Sequence, residues 1–366
     1  MKFKLSDIAE VTMGQSPKSE YYNEDGIGMP FLQGNRTFGR KYPTFDTYTT
    51  FVTKRASAGD VIMSVRAPVG DLNITPVDMC LGRGVCSIKM KNGNQEFLFY
   101  LLKYYMPQLL NKESGTVFGS VNRNDINGLE VDIPADDKLQ ARIARYLTVI
   151  DEKIELNETI NKNLEQQVQT IFKNQFLSLE TLPNGWQITT LGDVSQMGAG
   201  GDKPDTVSPI QTDSCPYPVY SNGISDEGLY GYTSGYKIKD ESITVSARGT
   251  IGFVCLRHIP YTPIVRLVTL IPNKDITSAK YLYLWLKNIH IHGTGTTQQQ
   301  LTVPDFRKTE IIIPTKEEMI TFTSVVTPLF ESIWANQAEN AKLSLLRDTL
   351  LPQLLSGELD VSALNL

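Results

Sequence analysis

Residues 138–176 read KLQARIARYLTVIDEKIELNETINKNLEQQVQTIFKNQF, and their spacing decides the architecture. The apolar positions are Ile143, Leu147, Ile150 and Ile154, then Leu164, Val168 and Ile171. Steps of four and three alternate, and Asn157 and Asn161 fill the single gap of ten without leaving the register. Such alternation is the seam of a coiled coil. A near-copy runs over 318–355, where Phe322, Val326, Leu329, Ile333, Asn336, Asn340 and Leu343 keep the same register. Asn157 and Asn161 map onto Asn336 and Asn340 at one constant offset of 179. Each helix of about 40 residues is about 60 Å long at about 1.5 Å per residue, which suits a spacer. The sharper reading has the two helices packed on each other; the blander one packs each on its own domain, with the asparagines in water. A buried asparagine lowers stability but fixes register, because a slip leaves its amide unpaired. On that reading, Leu or Ile at the four positions raises the melting temperature and loosens the register.

The helices belong to a repeat that spans the chain. Leu5-Ser6-Asp7-Ile8 matches Leu191-Gly192-Asp193-Val194, and 59–66 ending in Val69-Gly70 matches 240–248 ending in Ile251-Gly252. The helical run 97–103 matches 281–287, and Asp125-Ile126 with 131–134 matches Asp305-Phe306 with 311–314. The offsets drift only from 186 to 179. Between these islands, 12–55 and 198–238 share little. The pattern is one scaffold with two loop sets. In each half, short strands bounded by Gly, Pro and Asn precede a helix at about 95–111 or 278–289. A polar loop, a strand ending in Pro134 or Pro314 and the long helix follow.

At 366 residues the chain is long enough for two or three cores. Met1-Lys2-Phe3-Lys4-Leu5 shows no secretory h-region and no window reads as a membrane span, so a cytoplasmic protein is expected. Cys80, Cys86, Cys215 and Cys255 stand singly, which argues against zinc or disulfide scaffolds and fits a reducing compartment. The net charge is -5, yet 1–136 carries 15 basic and 15 acidic residues and 181–315 carries 11 of each. The deficit therefore lies in the helical segments, and each globular part can present a basic face while a partner supplies non-specific phosphate attraction.

No catalytic constellation stands out. Ser214-Cys215-Pro216-Tyr217 lacks the second proline of an amino-methyltransferase turn, and the Pro-Cys order of a cytosine-C5 enzyme is reversed. Gly198-Ala199-Gly200-Gly201 is not a G-x-G-x-x-G loop, no Walker A sequence exists, and His290-x-His292 has no acidic or thiol neighbour to complete a metal set. No cofactor or metal is expected.

The candidate recognition groups are polar, loop-borne and duplicated. Gln33, Asn35, Arg36 and Thr37, with Arg40 and Lys41 after them, follow Pro30-Phe31-Leu32; Tyr220 and Asn222 follow Tyr217-Pro218-Val219 at the equivalent place. Asn, Gln and Arg are the side chains that pair bidentately with adenine and guanine edges. Arg66 and Arg248 follow equivalent strands and fit a phosphate contact as well as a structural ion pair. Thr116, Ser120, Asn122 and Arg123 match the loop with Thr294, Thr296, Thr297, Gln298 and Gln299, whose hydroxyls, amides and glycines allow close approach to phosphates.

Residues 346–359, LRDTLLPQLLSGEL, resemble a conserved region of the specificity (S) subunit of type I restriction–modification systems. Gly59-Asp60-Val61-Ile62, the run 293–298 and Ile171-Phe172 are also similar to that family. The chain departs from it where Pro134 and Pro314 lead into the helices without the usual Pro-x-x-Glu-Gln, and in having Phe172 to Phe176 where a tryptophan is common. The resemblance implies an α+β fold with two pseudo-repeated target-recognition domains, at 1–136 and 186–315. Two long antiparallel coiled-coil helices, at 137–178 and 316–356, would join them with pseudo-twofold symmetry, leaving 357–366 as a tail. It implies that the chain reads a bipartite site on double-stranded DNA, docks two methyltransferase (M) subunits, and meets restriction (R) subunits through the complex. Catalysis and the S-adenosylmethionine site would belong to those partners. The alternatives are a DNA-modifying enzyme with its own active site and a protein-only coiled-coil adaptor.

Overall fold

Two sets of backbone hydrogen bonds, one in each half of the chain, repeat each other in order. The protein is described by a computed structural model covering residues 1–110, 119–293 and 300–359. In the first half Lys2–Lys4 pairs antiparallel with Glu130–Asp132; in the second, Gln187–Thr190 pairs with Glu310–Ile313. A four-stranded antiparallel sheet follows, ordered Ala9–Met13, Val85–Met90, Val61–Ser64 and Leu72–Ile74. Its counterpart is ordered Ser195–Ala199, Val268–Pro272, Ser242–Val245 and Val254–Arg257. Even the turn after Arg66 recurs after Arg248: Gly70 N–H donates to Ser64 O and Gly252 N–H to Ser246 O, both at 3.0 Å. The two glycines stand at φ 94° and 85°, a region side chains rarely adopt.

A third sheet sets the halves apart. In the first it has five strands, ordered Tyr22–Asn23, Tyr48–Thr49, Met29–Leu32, Met79–Leu81 and Arg55–Ala56; in the second it has three, Leu229–Thr233, Tyr217–Tyr220 and Thr262–Pro263. What the two versions share is one parallel pair, with Phe31 opposite Cys80 and Val219 opposite Thr262. The rest of this sheet is drawn from the stretches that share little sequence.

By internal packing the chain forms two units, 1–158 with 337–366 and 159–336, so each long helix gives one half to each unit. The helices are Asp137–Phe172, continued by a π-helical turn Lys173–Leu177, and Lys316–Ser356. In the first unit Asp151 meets Arg347 and Asn157 meets Asn340, so partner numbers fall as residue numbers rise and the half-helices are antiparallel. In the second, Asn161 meets Asn336 and Phe172 meets Phe322, again antiparallel. The register is the one read from sequence: Ile143, Leu147, Ile154, Val168, Phe322, Val326 and Ile333 are buried.

The seam asparagines have hydrogen-bond partners. They are not unsatisfied polar groups. Asn157, 1% exposed, donates to Glu339 Oε2 (2.7 Å) and Asn340 Oδ1 (2.8 Å) and accepts from Lys153 Nζ. Asn340 donates to Ile154 O, Asn336 donates to Asn161 Oδ1 (2.8 Å), and Asn161 donates to Ile333 O. A buried amide with its partners in place is stabilising, and removing one strands the others.

The short helices Gln95–Leu110 and Ala279–Asn288 cover the four-stranded sheets. Ser278 caps the second by accepting from Tyr281 N. In the first unit the buried hydroxyl of Tyr100 donates to Asp151 Oδ2 (2.7 Å), and Arg347 Nη1 donates to Asp151 Oδ1 (2.7 Å). Burial opposes the Arg347 charge, but Asp151 and Asp348 outweigh it and its pKa is raised. Leu351, Leu354 and Leu355 of the C-terminal motif are buried in the first unit's core. The second unit is closed by Phe172, Phe176, Tyr281 and Phe322, which meet edge to face or tilted. Among the described residues no helix is long and apolar enough to cross a membrane.

Candidate nucleic-acid interface

The parallel pair positions the candidate groups in each half. In the first, the chain leaves Met29–Leu32 and turns through Gln33, Asn35, Arg36 and Thr37 beside a cavity of about 240 Å³. Gln33 is exposed; its Oε1 accepts from Ser16 Oγ (2.8 Å), and Ser16 Oγ accepts from Arg83 N–H (3.1 Å). Asn35 donates to Asp71, and Arg36 pairs with Asp46 at 2.8 Å with both side chains exposed. The Arg36 hydrogen bond and then that of Thr47 hold the Asp46 carboxyl below its usual range. The Thr37 hydroxyl is buried beside the cavity and has no hydrogen-bond partner among the described residues.

Other candidates are spent on the fold. Lys41 is 3% exposed and bound to Glu96 at 2.6 Å, and Arg40 pairs with Glu158 of the first long helix at 2.7 Å. An ammonium that far from solvent is a structural ion, so the assignment of Lys41 to DNA contact is corrected. Asn122 is exposed, and its Oδ1 caps the helix Arg123–Asn127 by accepting from Asn124 and Asp125 N–H. Arg123 donates to Val11 O at 2.8 Å. Arg66 and Ser120 are exposed and joined by a backbone bridge.

In the second half, Asn222 uses both ends of its amide internally. Nδ2 donates to Val265 O (2.8 Å) and Oδ1 accepts from Ala247 N–H (2.7 Å), so its assignment as a base reader is corrected. The Tyr220 ring lies under the Arg257 guanidinium at 3.6 Å, and burial raises its pKa although Arg257 opposes the shift. Arg248 is exposed and donates to Gln300 Oε1 at 3.0 Å. Thr116, Thr294, Thr296, Thr297, Gln298 and Gln299 lie outside the described residues. His290 and His292 meet edge to face, and among the described residues no group of three His, Cys, Asp or Glu side chains is placed to hold a metal ion.

A common scaffold, two divergent sheets and exposed polar loops are the geometry a modular reader needs. The sequence profile of the type I restriction modification DNA specificity domain matches residues 1–166 and 183–344. The chain belongs to this family. Over 164 residues, 44% of this chain and 38% of the relative, it is 37% identical to the putative type I restriction enzyme MjaX specificity subunit of Methanocaldococcus jannaschii. The MjaIX specificity subunit of the same organism is 25% identical across 99% of this chain and 94% of its own length. In fold, the chain resembles the crystal structure of a type I restriction–modification S subunit from M. genitalium, with TM-score 0.65 over 97% of this chain and 96% of that one at 16% identity.

Sequence reasoning missed Ser16 and the exposed arginines Arg83 and Arg266. The two arginines sit on turns that look unlike in sequence, Gly82-Arg83-Gly84-Val85 and Ile264-Val265-Arg266-Leu267, and only their hydrogen bonds show that the turns correspond.

Proposed function

We propose that each half of this chain reads one half of a split DNA target and that the paired long helices set the unread gap between them. The chain itself carries out no catalysis; its helices dock methyltransferase subunits, two per chain, and restriction subunits join through the complex. The observation that carries this reading is the contrast between repeated four-stranded sheets and a third sheet rebuilt in each half. A pseudo-twofold arrangement of an antiparallel coiled coil fits the shared register and the offset of 179. Gln33, Asn35, Arg36, Thr37, Arg66 and Ser120 are the first half's contacts, and Arg248 belongs to the second. Tyr220 and Asn222 act as braces. The loops around Thr116 and 294–299 remain candidates on sequence grounds.

Methylome sequencing of cells carrying the chain with its methyltransferase partner tests this. The expected result is a bipartite motif with an unspecified spacer of several base pairs, since two half-sites on one side of B-DNA lie about 34–36 Å apart. Arg36→Ala relaxes the first half-site only; relaxation of both halves would reject modular reading. The helices pair residue by residue within each unit, so lengthening requires both. Four residues inserted after Glu158 and four after Asn336 add about 6 Å of helix, close to two base pairs at about 3.4 Å each. The spacer should grow by one or two base pairs with both half-sites unchanged. An unchanged spacer in a folded, assembled variant shows that the helices are not the ruler.

A further inference from the structure

We propose that Arg83 and Arg266 read guanine, one in each half-site, and that each is carried on a turn built to aim it. The proposal rests on the DNA-recognition reading above. Both turns follow the shared parallel pair and close in the same way: Val85 N–H donates to Gly82 O and Leu267 N–H to Ile264 O, each at 3.1 Å. Both are clamped by the loop after the central strand. Gly82 N–H donates to Leu32 O and Gly84 N–H to Gln33 O; Ile264 N–H donates to Tyr220 O, and Asn222 holds Val265 O. Arg83 is the second residue of its turn and Arg266 the third of its own.

Among the described residues these guanidinium groups have no partner to give up before binding, whereas others do. Arg36, Arg40, Arg123 and Arg248 have partners at 2.7–3.0 Å. Among the described residues, Arg83 and Arg266 are exposed and have no side-chain hydrogen bond or ion pair.

The second turn also spends conformational energy on direction. Val265 and Arg266 stand at φ 53° and 60°, a costly region for any side chain and most of all for a β-branched one. Val265 N–H and Arg266 N–H are held by Gly201 O and Gly200 O, both at 2.9 Å. In the first half the loop presses against the turn so closely that a Cβ on Gly84 would lie 2.4 Å from Gln33 O. A phosphate asks only for nearby charge; a guanidinium fork carried on a clamped backbone suits a pair of acceptors, and guanine alone offers two, O6 and N7, in the major groove. Gln33 stands beside Arg83. Ser16 donates to its Oε1, which leaves the acceptor of the amide engaged and its Nε2 donors to add to the Arg83 side chain.

The test uses the full chain assembled with its methyltransferase subunits, selecting from a random duplex pool and mapped for methylation. The wild-type assembly should select at least one guanine in each half-site. Arg83→Ala should lose a guanine from the first half-site alone and Arg266→Ala from the second alone, each weakening the cognate site about 10- to 100-fold. Arg83→Lys and Arg266→Lys should fail to restore it, because the charge remains but the fork does not. Asn222→Ala, a positioning variant, should relax the second half-site while the first serves as its internal control. Among the described residues neither arginine side chain makes a hydrogen bond or ion pair, so melting temperatures should not change. An even loss across all sequences, signifying a phosphate contact, overturns the proposal, as does an unchanged motif. A wild-type assembly that selects no sequence overturns the DNA-recognition reading and this one with it.

Discussion

In the first unit Tyr100, Asp151 and Arg347 fill the places that Leu284, Phe330 and Val168 fill in the second. The correspondence follows from the offsets, 184 for the short helices and 179 for the long ones. One unit buries an ion pair with a phenol on it; the other buries a continuous apolar surface. The two choices respond differently to error. A slip of the half-helix 337–356 in the first unit would part Arg347 from Asp151 while both stay buried, and an unpaired buried charge costs several kcal/mol. At the corresponding place in the second unit a slip exchanges one apolar contact for another. The polar trio therefore penalises wrong registers, and the apolar trio stabilises without discriminating.

The largest expected effect breaks that trio. Arg347→Leu leaves the Asp151 carboxylate buried beside Tyr100 alone and should destabilise the first unit by about 3–5 kcal/mol, read from denaturant melts. Importing the other unit's solution, Tyr100→Leu with Asp151→Phe and Arg347→Val, should be neutral or stabilising by about 1–4 kcal/mol. If the triple variant is as unstable as the single one, packing shape rather than charge separates the units.

Asn157→Leu comes next. It strands Asn340 Oδ1, leaves Glu339 only its Lys153 pair and should cost about 1–3 kcal/mol, the opposite of what an unsatisfied seam asparagine predicts. A rise in melting temperature would restore the simpler picture. Arg36→Ala removes an exposed pair with Asp46 and should change stability by less than about 0.5 kcal/mol, although it relaxes a half-site.

The smallest effect is a pH dependence confined to the seam. Hydrogen bonds from Asn157 and then Lys153 hold the Glu339 carboxyl below its ordinary 4.5. Its contribution is complete above that value and fades as pH falls from 4.5 through the lowered pKa. Melting temperatures taken from about pH 6 to about pH 3 should show a loss on the acid side that Glu339→Gln flattens. A slope unchanged by that substitution would assign the loss to other carboxylates.

Much of the architecture was legible because it rests on periodicity. The 3-4 alternation fixed which faces of the long helices turn inward, and the constant offset placed Asn157 with Asn161 and Asn336 with Asn340 in one register. Partner identity was beyond it. Asn35 and Asn222 look alike in sequence, yet one bonds an exposed carboxylate and the other bridges two backbone segments. Lys41 sits in a polar loop, and its burial against Glu96 depends on a helix more than 50 residues on. Charge, amide and hydroxyl can be read from a string, but whether they are already spent is a property of three-dimensional neighbours.

The division of the helices has a consequence for synthesis. The second unit, 159–336, is one unbroken stretch and has all its residues once the ribosome has passed it. The first unit waits for 337–366, because Arg347, Leu351, Leu354 and Leu355 are part of its core. Through most of translation its amino-terminal portion must persist with Asp151 unpaired and an apolar groove uncovered. Residues made after the second unit thus complete the first, and a chain cut short of residue 347 leaves Asp151 without its Arg347 partner.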